Sequence, residues 1–198
     1  MQSPLTPITY WHYVIPGFLQ RRGSCGGCLD LWWEMYLSHH DCGERVEICP
    51  WDSNWSDEAE FVFRFRNGKP RVTIAAYSWG AGWGAMQFAR ELNRRGIDVQ
   101  SMVLSDPVYR NPYLALRWLT TFSFPIIRVP GNVKDVRWFR QTKDWPCGHE
   151  LMGSSPLTAG TVIHDAVVAE CGHLAMDELP AFHAAALEEA AKAHNCEE

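Results

Sequence analysis

Residues 71–92 constrain the fold of this chain more than any other stretch. Arg71-Val72-Thr73-Ile74-Ala75 is a short β-branched, apolar run that reads as a buried strand. The residues from Ala81 to Leu92 read as a helix whose first turn is built from small side chains. Between them, Ala76-Tyr77-Ser78-Trp79-Gly80 must turn the chain sharply, with Ser78 at the apex. Such a turn forces strand and helix backbones together, so the positions two before and two after the apex must be small, as Ala76 and Gly80 are. Ser78 is then expected in a strained conformation with its hydroxyl exposed. The backbone N–H of Trp79, at the positive end of the new helix, would face any negative charge that develops there. An ordinary strand–helix turn with an incidental serine shares this local pattern, so the rest of the chain decides.

The chain has 198 residues, enough for one domain that buries about 70% of its unfolded surface. A hydrophobic fraction of 46% and a charged fraction of 21% are those of an ordinary globular protein. With a net charge of −5 and no long basic run, nothing points to a nucleic-acid partner. The first residues lack a basic start and an apolar run, and no stretch approaches a membrane span. A cytoplasmic location without stable membrane insertion is therefore expected, with the seven cysteines as free thiols. Cys25-x-x-Cys28 invites a zinc or redox reading. A structural zinc needs four ligands, however, and Cys42 and Cys49 form no second CxxC. A redox pair should open a helix directly after a strand, whereas a loop intervenes here.

Strand and helix patterns alternate along the whole chain. Ile8–Ile15 is a first strand, closed by the turn Pro16-Gly17-Phe18. After the loop Gly23–Cys28 comes an apolar helix at Leu29–Leu37. Glu44–Cys49 alternates like a strand near a sheet edge. A helix capped by Ser56 runs from Asp57 to about Arg66 and ends at Asn67-Gly68. Asp98–Ser105, Val133–Arg140 and Thr161–Ala169 are further strands, and an Ala/Glu-rich helix from about Asp177 to His194 closes the chain. This alternation predicts a single α/β domain over residues 1–198, a three-layer sandwich around about six parallel strands.

Three side chains of complementary chemistry fall at the C-terminal ends of these strands, the edge where open parallel sheets gather their ligands. Ser78 follows the central strand, Asp106 the next one, and His173 lies in a Gly-containing loop after the last. Asp144, beyond the strand at 133–140, is a second carboxylate near that edge and the alternative acid under the family resemblance given below. His164 is the alternative histidine, although a strand histidine more often packs in place. His149, in the loop from Gln141 to Gly153, is a candidate substrate contact. Residues 107–131 carry an apolar, aromatic run from Pro112 to Pro125, which the family resemblance given below implies to be a lid or substrate-binding insertion. Its Trp118 and Phe122 are the candidates for the wall of an apolar pocket, and a buried connecting helix is the plainer reading.

Together these features resemble the α/β-hydrolase superfamily of serine hydrolases. The strand–Ser78–helix turn is similar to its nucleophile elbow, with Ala76 where the usual pattern has glycine. Leu104-Ser105-Asp106-Pro107 is similar to the acid-bearing segment of one lipase branch. His173-Leu174-Ala175-Met176-Asp177 is similar to the corresponding segment of small esterases and lipases. The order Ser78, Asp106, His173 follows that of the superfamily. The resemblance implies a trimmed version of the fold with strand order 2-1-3-4-5-6. It also implies Ser78 as nucleophile, His173 as base, Asp106 as acid, and an oxyanion hole from the N–H groups of Trp79 and Phe18. The implied substrate is a small carboxylic ester with an apolar acyl or alcohol part, with no cofactor or metal and an open oligomeric state. Three alternatives stand beside it: an amidase or thioesterase using the same triad, a ligand-binding protein of this fold without turnover, and a thiol or metal protein built on Cys25 and Cys28.

Overall fold

The computed structural model describes residues 8–18, 20, 26–39, 43–109, 126–154 and 160–195. The chain runs through β1 (Ile8–Ile15), α1 (Gly27–Ser38), β2 (Glu44–Ile48), α2 (Trp55–Phe65) and β3 (Arg66–Tyr77). A π-helical turn (Gly80–Gly84) leads into α3 (Ala85–Arg94), followed by β4 (Val99–Ser105), β5 (Ile127–Val129), β6 (Val133–Gln141) and β7 (Leu151–Gly153). The last elements are β8 (Val162–Ile163), β9 (Val167–Ala169), a 3-10 turn (His173–Ala175) and α4 (Pro180–Asn195).

Among the described residues, seven strands form one sheet in the order β2-β1-β3-β4-β6, with β8 and β9 sharing the place beyond β6. Every pairing is parallel, so the expected 2-1-3-4-5-6 order is present. The central strands are apolar on both faces because helices cover both. Trp11, Tyr13 and Ile15 of β1, Ile74 and Ala76 of β3, and Met102 and Leu104 of β4 pack on one side with Ala59 and Val62 of α2 and Phe88 and Leu92 of α3. The alternate residues Val14, Ala75, Tyr77 and Val103 pack on the other with Leu31 and Met35 of α1 and Phe182 and Ala186 of α4. That two-residue alternation makes three layers from one sheet.

Several boundaries differ from those expected, each for a local reason. The helix cap is Asn54 rather than Ser56: the Asn54 side chain accepts from the Asp57 N–H. β3 begins at Arg66, immediately after α2, and absorbs Asn67-Gly68, with Gly68 at φ +58. The last strand is split in two. Val136 pairs with Ile163 and Phe139 with Val167, so the outer chain takes four steps where β6 takes three. An outer strand with no further neighbour among the described residues tolerates such an irregularity. β5 and β7 form a separate two-stranded parallel sheet from segments that read as loop, because three residues carry no period. α1 starts at Gly27, which puts Cys28 in its first turn at 1% exposure, and burial pushes its thiol well up. A buried neutral thiol fills space and does not suit thiolate chemistry; Cys25 and Cys42 lie outside the described residues. Among the described residues no helix is long and apolar enough to cross a membrane.

Candidate active site

The site is built where β3 meets the π-helical turn. Ser78 sits between them at φ +53, a left-handed conformation that costs a non-glycine residue on the order of 1–3 kcal/mol. Close packing holds it there. A Cβ on Gly80 would lie 2.2 Å from the Ile15 carbonyl oxygen, and one on Gly82 would lie 2.2 Å from that of Val108. A Cβ on Gly17 would stand 2.9 Å from the Ser78 Cβ. Ala76 is fully buried, so a methyl group is accommodated where the usual pattern has glycine. The Val108 N–H donates to the Ser78 carbonyl at 3.0 Å, joining the turn to the end of β4. Ser78 is only 4% exposed, less than the open apex expected from its sequence. Gly80→Ala is expected to destabilise the fold by about 3 kcal/mol, because the new methyl meets rigid backbone rather than a mobile side chain. A urea midpoint unchanged by that substitution would contradict the packing.

The only other non-glycine residue with positive φ among the described residues is Asp106, at +42. It caps β4, is fully buried, and receives donors from three directions. Its Oδ1 accepts from the Gly148 N–H at 2.7 Å and from the Gln141 N–H at 3.2 Å. Its Oδ2 accepts from Gln141 Nε2 at 3.2 Å and faces His173 Nδ1 at 2.5 Å. The other ring nitrogen, His173 Nε2, stands 3.0 Å from Ser78 Oγ. Ser78, His173 and Asp106 therefore lie in one hydrogen-bonded series, from three strand ends that are remote in sequence. A buried carboxylate at Nδ1 favours the tautomer whose Nε2 accepts. The His173 loop is pinned from below: the Tyr77 hydroxyl donates to the His173 carbonyl at 2.8 Å, and Ser105 Oγ donates to the Met176 carbonyl at 2.6 Å. Burial first, then Asp177 and Asp106, pushes the Tyr77 phenol up, so it remains a donor.

Gln141, at the end of β6, gave no sequence signal, yet its fully buried amide organises the acid. The two Nε2 hydrogens are shared among Asp106 Oδ2 and the Asp144 and Pro146 carbonyls, and its Oε1 accepts from the Lys143 and Asp144 N–H groups. One side chain thus folds the 142–148 loop around the carboxylate. Gly148 is needed in that loop, since a Cβ there would lie 2.6 Å from Asp106 Oδ1.

The remaining predicted residues fall in different places. Asp144 is exposed, and its carboxylate packs against Gly172; the carboxylate beside His173 is that of Asp106. His149 is 6% exposed, and its Nδ1 accepts from the Tyr109 N–H at 2.8 Å, so it braces the loop after Asp106. His164 lies on the sheet's outer edge with Nε2 2.9 Å from Asp135 Oδ2, away from Ser78. Trp118 and Phe122 lie outside the described residues. Phe18 is half exposed, with its ring 4.4 Å from that of Trp79 and 5.9 Å from that of Trp51. The turn it belongs to is anchored through Gln20, whose Oε1 accepts from the Gly17 N–H and whose Nε2 donates to Asp177. Trp79 has helical backbone angles at the start of the π-helical turn. A cavity of about 640 Å³ is lined by Trp51, Asn54, Trp55, Trp83 and Glu91 among others, but Ser78, Asp106 and His173 do not line it.

No protein-family model matches the chain, and no curated protein matches it. Among solved structures it is similar to YbtT, the type II thioesterase of the yersiniabactin NRPS/PKS biosynthetic pathway. The two are 10% identical, the match covers 94% of each chain, and the TM-score is 0.50. Likeness at that identity speaks to architecture, and it agrees with the parallel strand order and flanking helices described above. The chain has an α/β-hydrolase fold, in a trimmed form.

Proposed function

We propose that the protein is a serine hydrolase that cleaves carboxylic esters through Ser78, His173 and Asp106. The observation that carries this reading is the series Ser78 Oγ–His173 Nε2 at 3.0 Å and His173 Nδ1–Asp106 Oδ2 at 2.5 Å, with strained backbone at both ends. In the reaction, His173 Nε2 takes the hydroxyl proton as Ser78 Oγ attacks the acyl carbon. Asp106 holds the imidazole and stabilises its cation. The N–H groups of Trp79 and Phe18 stabilise the tetrahedral oxyanion. His173 then gives its proton to the leaving group, and the bond from carbonyl carbon to that group breaks. Water, deprotonated by His173, releases the acyl group from Ser78 in the second half. The rings of Phe18 and Trp51 pack on that of Trp79, the residue after Ser78, and this aromatic group favours an apolar acyl or alcohol part.

A thioester substrate is the second reading, favoured by the similarity in architecture to a protein described as a type II thioesterase. Comparing p-nitrophenyl butyrate with butyryl-coenzyme A separates the two. An esterase shows the higher kcat/KM on the oxygen ester, and the reverse ranking assigns the protein to thioesters. Loss of neither substrate at high enzyme concentration would contradict both and leave a ligand-binding role.

A further inference from the structure

Four residues distant in sequence converge on the α1/α4 face of the sheet, beside β1 and β2. His12 projects from β1 to the same face as Val14, Glu44 opens β2, His39 follows the last residue of α1, and His194 lies in the last turn of α4. One ligand atom from each lies within 4.8 Å of those of all the others. Glu44 reaches both flanking rings, with Oε2 3.4 Å from His39 Nδ1 and Oε1 3.2 Å from His194 Nδ1. The His39 and His194 rings are stacked at 5.2 Å, and the His12 ring lies 5.1 Å and 5.8 Å from them. We propose that His12, His39, Glu44 and His194 bind one divalent transition-metal ion, with zinc the best fit.

His12 supplies the second, independent observation. It is fully buried on an otherwise largely apolar face, with Val46 opposite it on β2 and Val14 next along β1, where an aliphatic residue would pack as well. Its Nδ1 is engaged at 2.8 Å by Thr73 Oγ1, its partner in the β1–β3 register. Its Nε2 has no hydrogen-bond partner among the described residues. An unsatisfied buried ring nitrogen is costly, and a metal ion in the cluster would satisfy it. Metal-binding histidines have their second ring nitrogen held by an outer-sphere hydrogen-bond acceptor, and Thr73 Oγ1 takes that place for His12.

Three imidazoles and one carboxylate match the nitrogen and oxygen preference and four-coordination of zinc. Ligands on a tetrahedral zinc stand about 3.4 Å apart. The most widely separated ligand atoms, up to 4.8 Å apart, must therefore close by as much as about 1.4 Å around the ion, with rotation of the partly exposed His39, Glu44 and His194 side chains toward His12. Thr73 precedes Ser78 by five residues along β3, which is about 16 Å of strand. The ion would thus be remote from Ser78 and would tie the ends of α1 and α4 to the sheet. This inference is independent of the hydrolase reading.

The test uses the full chain, stripped with EDTA, exchanged into metal-free buffer and titrated with Co²⁺ and then Zn²⁺. The expected result is one saturable site, with the visible absorption of tetrahedral cobalt and no thiolate-to-cobalt charge-transfer band. Zn²⁺ should displace the cobalt and raise Tm. His39→Gln and His194→Gln, at partly exposed positions, should each weaken the metal Kd by at least about 100-fold, and Thr73→Val by about 10–100-fold. Circular dichroism establishes that each variant is folded. A folded wild type that binds no Co²⁺ or Zn²⁺ stoichiometrically, binding unaltered in both glutamine variants, or a thiolate band would overturn the assignment.

Discussion

Ser78→Ala is expected to lower kcat for p-nitrophenyl butyrate by about 10⁶-fold without unfolding the protein. The size follows from the chemistry. In the proposed mechanism His173 acts by taking the proton of Ser78 and Asp106 by orienting His173, so deletion of the hydroxyl removes the function of all three at once. The backbone has reason to remain in place. The Val108 N–H still finds the residue-78 carbonyl, and the elbow stays packed through Gly17, Gly80 and Gly82. Thermal denaturation and kcat should therefore separate, with nearly unchanged Tm and almost no turnover. An alanine variant that keeps most of its rate would place the nucleophile elsewhere.

Asp106→Asn is expected to cost about 10⁴-fold in kcat, with Asp144→Asn costing far less. The surroundings of Asp106 dictate how the amide must sit. The Gly148 and Gln141 N–H groups both donate to Oδ1, so the amide oxygen is held at that position. The NH₂ group is then forced into the place of Oδ2, facing His173 Nδ1 and Gln141 Nε2. It donates to Nδ1, the ring carries its proton on Nε2, and Nε2 is no longer able to accept from Ser78. The NH₂ group also opposes the Gln141 donor, so a stability loss of about 1–3 kcal/mol should accompany the rate loss. Asp144 has no such position, being exposed with its carboxylate against Gly172. Equal losses in the two variants would contradict this geometry.

The architecture was legible in the sequence because buried parallel strands are written as continuous apolar runs, and Ile8–Ile15, Arg71–Tyr77 and Val99–Ser105 are such runs. The positions of Ser78, Asp106 and His173 were legible for a related reason: each stands directly after a strand, where topology brings remote residues to one edge. Whatever depends on a single side chain reaching across the fold was not legible. Gln141 is one polar residue at a strand end, and nothing in its neighbours foretells five hydrogen bonds around a carboxylate. His149 reads as a candidate substrate contact from its place in a loop, and only the fold shows it buried with Nδ1 accepting from the Tyr109 N–H. His12 sat unnoticed in an apolar strand, since only the fold brings α1, β2 and α4 around it. The split of the last strand depends on register against β6, which no local pattern encodes.

The central claim is that Ser78 is an activated nucleophile, and reaction with a fluorophosphonate tests it most directly. The intact protein is treated with the probe, digested, and the modified residue located by tandem mass spectrometry. The account predicts a single adduct on Ser78 in the wild type, none in Ser78→Ala, and strongly slowed labelling in His173→Ala, where no base takes the hydroxyl proton. A folded wild type that takes up no probe, or an adduct that persists at another residue in Ser78→Ala, would contradict it.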